Sequence, residues 1–171
     1  MRKTLLILFS LAAATFGSGC FLVNPYITVT ESQLNWVEIH YYNTKSKPVR
    51  RYWVRLSGVG LVETKKGTSD LVSNDFAKNH GAETWRDIKT QRKQVDPKHL
   101  NDIFQDLVNY GLLDEEKNFR GANKDGYDRF IAVKANINNY TYSESVNIFE
   151  EDPDLAEKLL DVVWEFSNPT L

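Results

Sequence analysis

The stretch Asp128–Phe149, DRFIAVKANINNYTYSESVNIF, decides the fold. Phe130, Ala132 and Lys134 alternate with Ile131, Val133, Ala135 and Ile137, and Asn138-Asn139 stands between two runs rich in β-branched and aromatic residues. Alternation with period two is the mark of a strand. Two asparagines between such runs, both tolerant of positive φ, make a tight hairpin. An isolated hairpin is marginal in water, so the flanking segments must cover it.

On either side a helix announces itself. In DPKHLNDIFQDLVNYG, Asp96 takes the cap position, Pro97 the first helical position and Gly111 the position past the end. Leu100, Ile103, Phe104, Leu107 and Val108 recur at helical spacing as one apolar stripe. DPDLAEKLLDVVWEFSN repeats the device, with Asp152 as cap, Pro153 as start, and Leu155, Leu159, Val162, Val163 and Phe166 on the inner face.

Upstream, LNWVEIHYYN (Leu34–Asn43) reads as a strand. VRRYWVRLSG places Val49, Arg51, Trp53 and Arg55 on one side and Arg50, Tyr52, Val54 and Leu56 on the other, and the mixture of arginine and tryptophan leaves the buried side unassigned. GVGLVETKKG continues as a shorter strand. AETWRDIKTQRKQV, with Trp85, Asp87, Lys89 and Gln91 on one face, suits an exposed edge. Thr68–Gly81 reads as a loop with one helical turn around Asp75–Lys78. The expected fold is therefore α+β: an antiparallel sheet of about five or six strands with two amphipathic helices packed on one face.

Charge is unevenly spread. Cys20–His99 carries 13 basic and 8 acidic residues, whereas Leu100–Leu171 carries 6 and 15. The two halves can neutralise each other within one fold or lie on solvated faces. No basic run has the density or aromatic interleaving of a nucleic-acid site, so nucleic acid is not an expected partner.

The N-terminus carries an address. Met1–Gly19, MRKTLLILFSLAAATFGSG, opens with Arg2 and Lys3, continues uncharged from Thr4 to Phe16 and closes on Gly17, Ser18 and Gly19. That order is an export signal. The single cysteine of the chain, Cys20, follows directly. Ser18-Gly19-Cys20 resembles the cleavage site of bacterial lipoprotein signal peptides, although Gly17 stands where that class prefers an aliphatic residue. The resemblance implies that the thiol of Cys20 takes a diacylglyceryl group, that residues 1–19 are removed, and that membrane lipid is the first partner. Phe21 lacks the aspartate associated with inner-membrane retention, which favours the outer membrane in a Gram-negative source. The competing reading is an ordinary signal peptide or an uncleaved anchor with Cys20 incidental. A lone cysteine forms no intramolecular disulfide, and exported proteins rarely carry a free thiol without a use for it. Removing 19 of 171 residues leaves 152, enough for one domain with a hydrophobic core. Residues 20–33 read as anchor and tether, outside the core, and residues 34–171 as a single globular domain.

No catalytic pattern emerges. His40, His80 and His99 lack partners at metal-ligand spacing. NKDGYD (Asn123–Asp128) matches a calcium loop only in part, with Gly121 and Ala132 where carboxylates belong, and a turn explains it equally. EEDPD sits at a helix start, where acidic residues suit the dipole. Ser57, Ser69, Ser73, Ser143 and Ser145 lie in no nucleophile elbow. The expectation is a protein without metal or cofactor and without enzymatic activity.

From Glu83 to Asn168 the order of elements, with LVNYGLLD, DRFIAV and DLAEKLLDVVWEF, resembles small bacterial domains of the emfourin type, and Asp128-Arg129-Phe130 matches their Asp-x-Phe strand start. The resemblance implies inhibition of thermolysin-like metalloproteases, without transferring any inhibitory residue. The leading expectation is a membrane-anchored, noncatalytic binding module with an envelope partner. The alternatives are a metalloprotease inhibitor and an enzyme whose site is assembled only in the fold. A binding module would display an aromatic patch drawn from Tyr41, Tyr42, Trp53 or Trp85.

Overall fold

The computed structural model describes residues 27–43, 45–69, 85–114, 128–144 and 147–167. Its elements run β1 (Trp36–Asn43), β2 (Val49–Ser57), β3 (Leu61–Ser69), β4 (Arg86–Gln94), α1 (Pro97–Asn109), β5 (Arg129–Ile137), β6 (Tyr140–Glu144), α2 (Ile148–Glu151) and α3 (Pro153–Ser167). The six strands form one sheet in the order β4-β3-β2-β1-β5-β6, every neighbouring pair antiparallel. The fold is α+β, and the short helix α2 is the one described helix that the sequence pattern did not announce.

Local chemistry sets the boundaries. Asn138 and Asn139 adopt φ of 52° and 67°, so both hairpin residues lie in the left-handed region that the right-handed twist of the flanking strands favours. At α1 the Asp96 carboxylate accepts from the Lys98 backbone N–H at 2.9 Å, and Gly111, at φ 97°, turns the chain after the last turn. Asp152 Oδ1 accepts from the Leu155 N–H at 3.2 Å and caps α3.

Both long helices lie on one face. Leu100, Phe104 and Leu107 of α1 and Leu155, Leu159 and Val163 of α3 bury against Val37, Ile39, Val54, Leu56, Ile131, Val133 and Ile137. Trp164 joins this layer edge-on to Tyr41 and Tyr52, with ring centroids 5.5 and 5.1 Å away. β4 extends beyond the helices as an edge, and all nine of its residues are exposed. Lysine and arginine along such an edge disfavour pairing with another chain.

The stretch expected to be tether is partly core. Val29 is buried in the main cluster, and its N–H donates to Gln105 Oε1 at 2.7 Å. The Gln105 amide also donates to the Ile27 carbonyl, and Asn138 Oδ1 accepts from the Thr30 N–H at 2.9 Å. The sequence TVTE has no clear apolar period. Only Val29 of these four is buried, in a groove that α1 and the β5–β6 turn create only once folded.

Candidate functional site

Side chains that alternate away from the helices line up across the sheet. One row runs Lys134–Glu38–Arg55–Glu63–Arg92 over β5, β1, β2, β3 and β4, alternating in sign at every step. The next runs Ala132–His40–Trp53–Lys65–Thr90, and the third Phe130–Tyr42–Arg51–Gly67. Among the described residues no helix covers these rows.

The third row is closed. Tyr42, Val49, Phe130 and Ala132 form a second, smaller buried cluster. Arg51 beside it is only 1% exposed. Its guanidinium carbon lies 4.8 Å from the Tyr42 ring centroid and 4.2 Å from that of Trp85, and it donates to the Tyr42 hydroxyl at 3.1 Å. Burial pushes Arg51 below its ordinary value, an effect the neighbouring Tyr42 opposes. Stacking between two aromatic rings suits a weakly hydrated planar cation.

Gly67 sets the place of Trp85. The β3–β4 register shifts between Lys66 and Thr68, and a Cβ on Gly67 would stand 2.6 Å from the Arg86 carbonyl and 3.3 Å from the Trp85 ring. A glycine is therefore what lets β4 begin here, with the indole turned over Arg51. The same ring lies 4.5 Å from Lys65 Nζ.

The middle of the face is a hollow of about 420 Å³ whose described lining is Glu38, His40, Trp53, Lys65, Trp85 and Lys134. His40 Nε2 and Glu38 Oε1 are 2.9 Å apart. The hydrogen bond with His40 is the largest cause holding Glu38 down at about 2, helped by one from Trp53 and opposed by burial. Burial pushes His40 down as well, against the pull of Glu38. At neutral pH the carboxylate is ionised and the imidazole neutral, so Nε2–H donates and Glu38 accepts. Lys65 is pushed down by burial and by the nearby Arg51. No ion pair within 4 Å joins Lys65 or Lys134 to a carboxylate among the described residues.

A second hollow, about 330 Å³, lies between residues 31–33, the β2–β3 turn and the start of α1. Glu31 is the one titratable group in its described lining.

The residues singled out from sequence scatter. His99 pairs with Glu165 at 2.8 Å on the helix layer, far in sequence from His40, and Asp128 pairs with Lys45 at 2.9 Å beside the start of β5. Cys20, His80 and Asn123–Tyr127 lie outside the described residues. The described residues hold no group of three potential metal-ligating side chains. None of their helices is long and apolar enough to cross a membrane. Of the four aromatic residues expected on a patch, Tyr41 belongs to the helix-covered core, Tyr42 and Trp85 are buried around Arg51, and Trp53 alone is half-exposed. Sequence reasoning passed over Glu38, Lys65 and Lys134. The one signal it held was the Arg-Trp-Arg alternation of β2, which places Trp53 between cations. Compared with known proteins, the chain matches no family model, no curated protein and no solved structure.

Proposed function

We propose that this chain is a bacterial lipoprotein, anchored through acylated Cys20 on the exported face of a membrane, whose folded unit is a noncatalytic binding module for an envelope component. The observation that supports the binding role is the helix-free sheet face, where half-exposed Trp53 sits among Lys65, Lys134 and the exposed Arg55. Tryptophan and arginine are enriched in recognition surfaces, where an indole offers both an apolar face and a polar edge. The packed unit begins by Ile27, seven residues past Cys20, so the anchor holds it within about 25 Å of the lipid.

Intact mass of the membrane-extracted protein tests the anchor. Loss of residues 1–19 with a lipid-sized gain, both abolished by Cys20→Ala, is expected; an unlipidated soluble chain would overturn it. A photo-crosslinking residue at Arg55 tests the face, with one at Asp161 on the exposed side of α3 as control. An envelope adduct from position 55 and none from 161 is expected, and equal labelling would count against the sheet face.

Meeting titratable groups favour a second reading, an enzyme using Glu38 and His40. A carboxylate held near 2 is a weak general base at neutral pH, and no hydroxyl or thiol side chain lines the described hollow. Turnover of a bound compound, lost in Glu38→Gln, would nonetheless establish that reading. Inhibition of a thermolysin-like protease by the purified chain would support the emfourin-type alternative.

A further inference from the structure

We infer that the hollow over Glu38 and Trp53 binds an acidic sugar, a pyranose carrying a carboxylate, with Lys65 holding the acid group and Glu38 and its cross-strand neighbour Lys134 the hydroxyls. The inference rests on the reading of this sheet face as the binding surface and does not depend on the lipid anchor.

Three demands converge. The first is a negative charge. Lys65 and Lys134 line the hollow, and Glu38 is the one carboxylate in the described lining. A charge-assisted contact from an ammonium to a carboxylate is roughly twice as strong as a neutral one, and here Lys65 has already lost part of its hydration to burial. An incoming anion recovers that loss.

The second demand is hydrogen-bond donors. Ionised Glu38 can only accept. It accepts from His40 and from the Trp53 indole, which leaves capacity on a carboxylate whose side chain is still 23% exposed. A simple carboxylic anion offers Glu38 nothing and is repelled by it. A sugar offers hydroxyls to Glu38 while keeping its acid group at the other end of the ring.

The third is a flat apolar face. Trp53 is half-exposed, with His40 edge-on at 6.4 Å, and Trp85 is already engaged by Arg51 and Lys65. Trp53 is thus the available platform, suited to the C–H face of a pyranose. Scale agrees. β3 and β5, which carry the two lysines, are three strand steps apart, about 14 Å between backbones. Two long side chains leaning in from that separation can close on one ring, and a hollow of about 420 Å³ lies in the usual range for small ligands, roughly 300–1,000 Å³.

The test is calorimetric titration of the detergent-extracted full-length protein with glucuronate, glucose and acetate, and with phosphatidylglycerol vesicles as a lipid-anion probe. Glucuronate is expected to bind at least about tenfold more tightly than glucose or acetate, Lys65→Met and Lys134→Met each to weaken it about tenfold, and Glu38→Gln to erase the preference over acetate. Trp53→Phe is expected to keep part of the affinity, with Trp53→Ala losing it. A uronic-acid tetramer binding more tightly than the monomer would assign the ligand to an envelope glycan, and equal affinity to a free sugar; both support the inference. It is overturned if glucuronate does not bind, if acetate binds as well, if the vesicles alone bind, or if both lysine variants, checked for unchanged thermal unfolding, keep full affinity. An adduct from Arg55 without glucuronate binding would sink the sugar and leave the binding face standing. Failure of both would remove both.

Discussion

The two faces of this sheet are made by the same strands and have opposite chemistry. On the helix side of β1 and β5 stand Val37, Ile39, Tyr41, Ile131, Val133, Ala135 and Ile137, all buried in one cluster. On the other side the same strands present Glu38, His40, Lys134 and Asn136, with only Tyr42, Phe130 and Ala132 forming a small core at one end. Burial of the first set supplies most of the driving force for folding, about 25 cal/mol for each Å² of apolar surface removed from water. The second set adds little of that and is correspondingly free to serve recognition. Because the period of a strand is two, neither assignment compromises the other.

The largest expected effect lies on the covered face. Ile131→Ala should cost about 2–5 kcal/mol in urea unfolding, by lost transfer energy plus the cavity left behind. Its counterpart across the sheet, Lys134→Met, should change stability by less than about 0.5 kcal/mol. Similar losses from both would break the distinction between the faces.

The closed end of the open face should fall between these. Tyr42→Phe removes the hydroxyl to which the buried Arg51 donates, and an expected loss of about 1–3 kcal/mol follows from the lost charge-assisted hydrogen bond. An unchanged midpoint would mean that this hydrogen bond adds nothing to the other contacts of Arg51.

Acid should act through the same face. Glu38 titrates lower in the fold than in the unfolded chain, so the stability it contributes is complete above about 4.5 and is lost as pH falls toward about 2. His40 is also pushed down, and the unfolded chain takes up its proton first, so its contribution begins to fall as pH drops below 6.5. Arg51 and Lys134, both facing His40, oppose that proton and Glu38 favours it. Thermal unfolding from pH 7 to 5 should show a decline in the wild type and a flatter profile in His40→Gln. A steeper profile in the variant would reverse the sign assigned to His40.

The smallest effect belongs to the edge. Arg92 Nε stands 2.6 Å from Glu63, but the arginine side chain is 78% exposed, so Arg92→Gln should cost no more than about 1 kcal/mol and less in high salt. A larger, salt-insensitive loss would make the alternating charge row structural.

The helices and the hairpin were legible because their signals are local. Asp96-Pro97 and Asp152-Pro153 specify helix starts through caps and a fixed φ, and Asn138-Asn139 specifies a turn through tolerance of positive φ. Apolar periodicity in Leu100–Val108 and in β5 names the buried side without reference to any other segment. In β2, by contrast, Val49-Arg51-Trp53-Arg55 left the buried side open, since burying an arginine takes partners from other strands, here the rings of Tyr42 and Trp85.

What the sequence by itself determined is the α+β class, the two capped helices and the edge character of β4. Tertiary structure decided the rest. Register sets Lys65 beside Trp53 and Trp53 beside His40, on three different strands. The missing side chain of Gly67 lets Trp85 close over Arg51, and the groove between α1 and the β5–β6 turn converts Val29 from tether to core. The physical reason is the same in each case. Caps, turns and periodic stripes are contracts between near neighbours, whereas a hollow is made by residues whose proximity exists only after the sheet has formed.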